Sequence, residues 1–188
     1  TTVNRSTPIP VSGLTGVTAI AAGSVNSCAL KQDGTVFCWG YNGDGRLGDG
    51  TTTNRSVPIA VSGLTGVKAI SAGSDHTCAL KQNATVVCWG SNSNGRLGDG
   101  TTTDRKTPTP VSGLTGVTTI AAGKSHSCAV KQDATVACWG YNGNSQLGDG
   151  TATNRSTPTP VLGLTAVKAV TAGEAHSCAL KQDGTLRC

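Results

Sequence analysis

The 188-residue chain has no methionine, one phenylalanine, two tyrosines and three tryptophans, so aromatics make up only 3% of it. Charged residues (13%) and hydrophobic residues (36%) both fall below the usual globular shares. The 26 glycines exceed theirs. Frequent turns and few helices follow, and a helical bundle is excluded. No run reaches the ~18 apolar residues of a membrane helix, and no basic stretch followed by an apolar one opens the chain, so membrane insertion is not expected. The lack of methionine even at position 1 leads us to expect that a leader, propeptide or flanking domain has been removed. A mass of 18.8 kDa suits one domain, residues 1–188, better than two.

What is present is a repeat. Rows 1–50, 51–100, 101–150 and 151–188 carry the same text, the last row stopping twelve residues short of the fifty-residue period. A period of this length without a helical pattern indicates a propeller or a solenoid. Each row reads as a Pro-rich segment, an apolar run such as Val17 to Ala22, a segment such as Ser27 to Lys31, a Gln-Asp-Gly turn, a Val-x-Cys-Trp-Gly segment and a polar loop. That is four short strands per repeat. All seven prolines (Pro8, Pro10, Pro58, Pro108, Pro110, Pro158 and Pro160) lie in the first segment. Proline cannot donate to a central ladder, so this strand is assigned to the sheet edge. The apolar run with its small residues reads as a strand buried on both faces and is assigned innermost. The edge strand Thr7 to Val11 is placed to complete the blade of Val167 to Cys188, which would close a four-bladed ring in one chain or an eight-bladed ring from two. One stretch of a longer repetitive protein is the other reading.

The pattern V-x-x-I-A-A-G-x-x-H-S-C-A-L-K-x-D-G-T-V-x-C-W-G-x-N-x-x-G-x-L-G-D-G, repeated along the whole chain, resembles the RCC1-type repeat. The resemblance implies an all-β fold, a β-propeller of four-stranded blades with about fifty residues per blade. Four repeats fall short of the seven blades most common in that family.

Eight cysteines form four pairs of identical spacing: Cys28 and Cys38, Cys78 and Cys88, Cys128 and Cys138, Cys178 and Cys188. A three-residue hairpin loop, Gln32-Asp33-Gly34, sets Lys31 against Thr35 and therefore Cys28 directly against Cys38. Disulfides are the expected outcome, each worth roughly 2.8 kcal/mol in the chain-entropy account of a loop this short. Zinc is disfavoured, because its sites want closely spaced cysteines and one hairpin supplies half a ligand set. Regular pairing in an even count points to an oxidising, extracellular or cell-surface location. Two turns carry Ala84 and Ala134 where Gly34 and Gly184 stand, so either the turn type changes there or the turn is strained.

The remaining candidates read mostly as scaffold. His76, His126 and His176 share one repeat position, occupied by Asn26 in the first row, and are assigned as hydrogen-bonding fixtures. No acidic partner and nucleophile accompany them, so no catalytic residue is assigned. The loop Asn42 to Gly50 lacks the calcium-loop spacing, and neither metal nor cofactor is expected. Arg5, Arg55, Arg105 and Arg155 recur near Asp49, Asp99 and Asp149 as an inter-blade ion pair. The formal charge of +5 is spread over all rows without a basic run, which disfavours nucleic acid. Asn4, Asn54, Asn83 and Asn154 open N-glycan acceptor triplets.

Positions that vary between rows mark candidate partner-binding loops: Val25, Asp75, Lys124 and Glu174 in one loop, and Tyr41 and Tyr141 after the Trp-Gly. The expected function is a secreted, non-enzymatic structural or protein-interaction propeller, part of a surface protein or filament, with a protein partner or self-association. The alternatives are a protein inhibitor, as in a secreted branch of the resembling group that inhibits β-lactamases, or a carbohydrate-binding propeller with a glycan ligand. Nucleotide exchange on a small GTPase, the activity of the founding member, is disfavoured by the cysteines.

Overall fold

A computed structural model describes residues 6–188. Fifteen strands form four antiparallel sheets among these residues, with no helix. The first sheet runs β1 (Val17–Ala22), β2 (Asn26–Lys31), β3 (Val36–Gly40), β4 (Arg55–Ala60). The second runs β5 (Val67–Ala72), β6 (His76–Lys81), β7 (Val86–Gly90), β8 (Arg105–Pro110), and the third β9 (Val117–Ala122), β10 (His126–Lys131), β11 (Val136–Gly140), β12 (Arg155–Pro160). The fourth has β13 (Val167–Ala172), β14 (Ser177–Lys181) and the two-residue β15 (Leu186–Arg187). These are propeller blades.

The Pro-rich strands β4, β8 and β12 lie at sheet edges, as the missing N–H requires. Each belongs to the blade of the preceding row, so the structural unit is offset from the fifty-residue text. Thr7 to Val11 forms no strand: Ile9 and Val11 are exposed, and the last sheet has three strands among the described residues. The expected splice of the two ends is therefore not made in this structure.

The apolar runs are innermost, since β1 meets β5, β5 meets β9 and β9 meets β13. Burial on both faces is corrected. β5 and β9, which have a blade on either side, are only half-buried. Their C-terminal ends, together with the glycines that follow, line a channel mouth of about 460 Å³ drawn from all four rows. A strand facing a channel leaves one side wet, and small residues fit there because neighbouring inner strands converge. The fully buried strands are instead β7 and β11, with β6 and β10 nearly so.

The core lies between blades rather than within them. Cys28, Leu30, Val36 and Cys38 of the first blade pack with Leu47, Val61, Leu64 and Val67 around Trp89 of the second. The same set recurs one row later around Trp139. Both indoles are essentially buried, and each Nε1 donates at 2.9 Å to a backbone carbonyl of the preceding row, Arg46 for Trp89 and Arg96 for Trp139. Two of the six aromatics, Trp89 and Trp139, thus fill the first two seams.

All four cysteine pairs are disulfides. In the first three blades the two residues sit directly opposite in the β2–β3, β6–β7 and β10–β11 registers, as the hairpin count requires. The turns keep their left-handed form even where glycine is replaced: Ala84 has φ 62° and Ala134 φ 59°. Their carbonyls accept the N–H of Val117 and Val167 in the next blade at 3.0 Å. That bond holds the turn in place against the Cβ cost.

Candidate protein-interaction face

The loop after each Trp-Gly is built on one asparagine. Asn92 is fully buried; its Nδ2 donates to Asp99 Oδ1, Thr101 O and Thr103 O at 3.1 Å, and its Oδ1 accepts from Leu97 N at 3.0 Å. Asn42 and Asn142 repeat this. Burial works to raise the pKa of Asp149, but hydrogen bonds from Thr151, Arg155 and Asn142 outweigh it and hold the carboxyl at about 2. Asp49 and Asp99 are lowered for the same reasons. The superficially calcium-like segment is thus a turn whose carboxylates are spent on the protein's own donors.

Arg55, Arg105 and Arg155 do pair with Asp49, Asp99 and Asp149, at 2.8, 2.7 and 2.7 Å. These pairs are not inter-blade, however. The Pro-rich strand opening at each arginine returns to the blade that its loop left, so both partners belong to one blade. Arg5 lies outside the described residues, as do Asn4 and the start of its glycan triplet. Asn54 and Asn154 use Oδ1 to accept from Asn42 N and Asn142 N at 2.8 Å, whereas Asn83 sits on an exposed hairpin turn.

Two of the three histidines, His76 and His126, stitch blades together, whereas His176 is exposed and makes no such bond among the described residues. His76 Nε2 and Ser127 Oγ are 2.8 Å apart, and His126 Nε2 and Ser177 Oγ likewise. Ser127 donates its proton to Arg96 O at 3.1 Å and Ser177 donates to Gln146 O at 2.9 Å. The imidazole must therefore supply the other proton, which fixes Nε2–H. Burial, joined by Arg96, His126 and Arg46, lowers His76 to about 3. Burial and His176 lower His126 to about 4. Both rings are neutral at physiological pH; Ser127 is buried and Ser177 half-buried, and each has its proton committed to a carbonyl, so each is a tie between blades.

The variable positions come together on one face. Tyr41 N donates to Val25 O, Ser91 N to Asp75 O and Tyr141 N to Ser125 O, all at 2.9 Å, so each post-Gly residue is fastened to the loop between the first two strands of its blade. Val25 and Tyr41 are both about half exposed. The Arg46 guanidinium lies 4.9 Å from the centre of the Tyr41 ring and holds it. Asp75 bridges two arginines, Arg46 at 2.9 Å and Arg96 at 3.4 Å, across the seam of the first two blades. Lys124 pairs with Glu174 across the third seam. Asp75, Lys124 and Glu174 are thus already paired, which leaves Val25, Tyr41 and Tyr141 as the side chains on offer. Arg46 and Arg96, both buried, carry the charge contacts of this face. Their signal was the change to Gln146 in the third row, at a site otherwise hidden among turn residues.

The RCC1-like domain family matches residues 1–188, and the chain belongs to that family. Human E3 ubiquitin-protein ligase HERC2 is 50% identical over 46 residues, which cover 23% of this chain and 1% of the ligase. Yeast RCC1 (Prp20), solved with Kap60 bound, superposes with a TM-score of 0.83 at 26% identity over 97% of this chain and 46% of that one. A second structure of Saccharomyces cerevisiae Prp20p gives 0.76 at 25% identity, over 88% and 43%. The chain spans less than half of either yeast structure.

Proposed function

We propose that this chain is an extracellular, non-enzymatic, protein-binding stretch of propeller, and that its partner docks on the face carrying Val25, Tyr41 and Tyr141, rimmed by Asp75, Lys124 and Glu174. The observation that carries the reading is the main-chain bond from Tyr41 to Val25. It presents an exposed aromatic and an exposed aliphatic side chain together on rigid strand ends, a low-entropy anchor of the kind interfaces favour. The relatives are consistent with it: yeast RCC1 is solved with Kap60 bound, and Prp20p is described by its binding to Gsp1p and histones. Four disulfides support an oxidising location. The oxidised chain, immobilised, should retain a protein from the extracellular fraction of its source. Val25→Glu with Tyr41→Ala should weaken retention by about tenfold or more. Equal retention by wild type and variant would remove this face from consideration.

A further inference from the structure

The turns that join the second and third strands of the four blades differ at one position in the second row. Asn83 stands there in place of Asp33, Asp133 and Asp183. All four side chains accept the N–H and the hydroxyl of the threonine two residues on, Asn83 those of Thr85 at 3.3 and 2.7 Å. The three aspartates also pair with Lys31, Lys131 and Lys181. A neutral Asn83 offers Lys81 no such partner, and it adds nothing to the turn that an aspartate does not supply. What the change creates is the triplet Asn83-Ala84-Thr85, an acceptor for an N-linked sugar, which the aspartate rows cannot be.

The geometry separates this triplet from the others. Asn83 is exposed at the tip of its hairpin, and its Nδ2 has no partner among the described residues. Ala84 is fixed beside it, accepting from Val117 N and donating to Lys81 O, both at 3.0 Å. The carboxamide and the hydroxyl are thus presented together on a rigid surface turn, the setting such an acceptor needs. The triplets of Asn54 and Asn154 run straight into edge strands, with Arg55 paired with Gly40 and Arg155 with Gly140 in the ladder. Their Oδ1 atoms accept from Asn42 N and Asn142 N, and Asn154 Nδ2 donates to Asn94 Oδ1 at 3.4 Å. The second blade has a blade on each side, so Asn83 is exposed with its neighbours in place.

We propose that Asn83 is a glycosylation site, taking its sugar from a diphosphate-activated donor through a transferase of the source. Asn83 Nδ2 bonds to the anomeric carbon as the bond from that carbon to the donor's phosphate oxygen breaks. The electron pair leaves with the diphosphate, the amide gives up one of its two hydrogens as a proton, and nothing is oxidised or reduced. The inference rests on the extracellular location proposed above. The turn lies at the opposite end of β6 and β7 from Asp75 and Ser91, roughly 20 Å away, so the sugar screens one end of the blade and leaves the Val25 and Tyr41 face clear.

The test uses the protein isolated from its source and mass spectrometry of the tryptic peptide Gln82 to Arg96, which holds a single acceptor triplet. That peptide should carry sugar, and an amidase acting on glycosylated asparagine should release it with conversion of Asn83 to aspartate. An oligosaccharide mass marks a lipid-linked donor and a single-sugar mass a nucleotide-linked one; both uphold the site. Asn83→Asp, made in the same source, restores the turn residue of the other rows and should lose the sugar entirely while leaving the disulfides and far-UV spectrum intact. Thr85→Ala should lose it as well. Sugar that persists on the peptide in either variant overturns the proposal, as does a bare Asn83 in the wild-type protein, whether or not Asn54 and Asn154 carry sugar. Digestion without reductant separates the site from the location: a bare Asn83 with Cys78 and Cys88 bridged overturns the site alone, and a bare Asn83 with free thiols overturns the oxidising location with it.

Discussion

His76 Nε2 lies 2.8 Å from Ser127 Oγ, 51 positions along the chain and one blade further round the propeller. Its pKa is lowered to about 3 by burial and neighbouring positive charge, against 6.5 for a free histidine. The unfolded state thus binds the proton more readily, so this contribution to stability is complete above pH 6.5 and is lost as pH falls towards the folded value. His126 acts in the same direction, towards about 4.

Acid should therefore destabilise the oxidised protein well before its carboxylates titrate. Between pH 7 and pH 4, His76 alone costs about 3 kcal/mol on the linkage relation. His76→Asn with His126→Asn, the residue type that Asn26 supplies at the same position of the first row, should flatten Tm over that window while lowering it at pH 7.5. Thermal melts at half-unit pH steps decide it. An unchanged slope in the double variant would place the acid sensitivity elsewhere.

The loop asparagine should be among the costliest polar residues to remove. Asn92→Ala strands the Thr101 and Thr103 carbonyls and the Leu97 N–H in a buried turn and takes one of three donors from Asp99 Oδ1, a loss of about 3 kcal/mol or more. Denaturant midpoints at constant slope measure it, and a loss under about 1 kcal/mol would mean that water replaces the side chain.

Alanine to glycine, normally destabilising in a strand or helix, should stabilise here. Ala84→Gly and Ala134→Gly relieve left-handed turns pinned by Val117 and Val167, each gaining about 1 kcal/mol. A drop in Tm for either variant would show that the entropy lost on fixing glycine outweighs the relief.

The disulfides should act independently, because each closes only its own hairpin. Cys78→Ser with Cys88→Ser should cost about 3 kcal/mol and leave the other three bridges formed, as non-reducing peptide mapping would show. Scrambled pairing in that variant would indicate that the hairpins do not preset their partners.

Much of this architecture was legible in the text of the repeat because it depends on neighbours in sequence. A turn of fixed length sets Cys28 against Cys38, a missing N–H sends Pro58 and Pro108 to an edge, and a period of fifty marks the blade. His76 and His126 were legible as fixtures for the same reason, recurring in place without a catalytic companion, while His176 shares their position in the row and not their bond. What tertiary structure alone decided lies at the seams. Whether Arg55 meets Asp49 within a blade or across two depends on which sheet the Pro-rich strand joins. Asp75 reaches Arg46 only because the first two blades pack side by side, whereas its contact with Arg96 lies within the second blade. Local hydrogen bonding fixes the blade from sequence, whereas side chains far apart in the chain meet only after the blades are packed; the paired charges and the half-wet inner strands both belong to that second step.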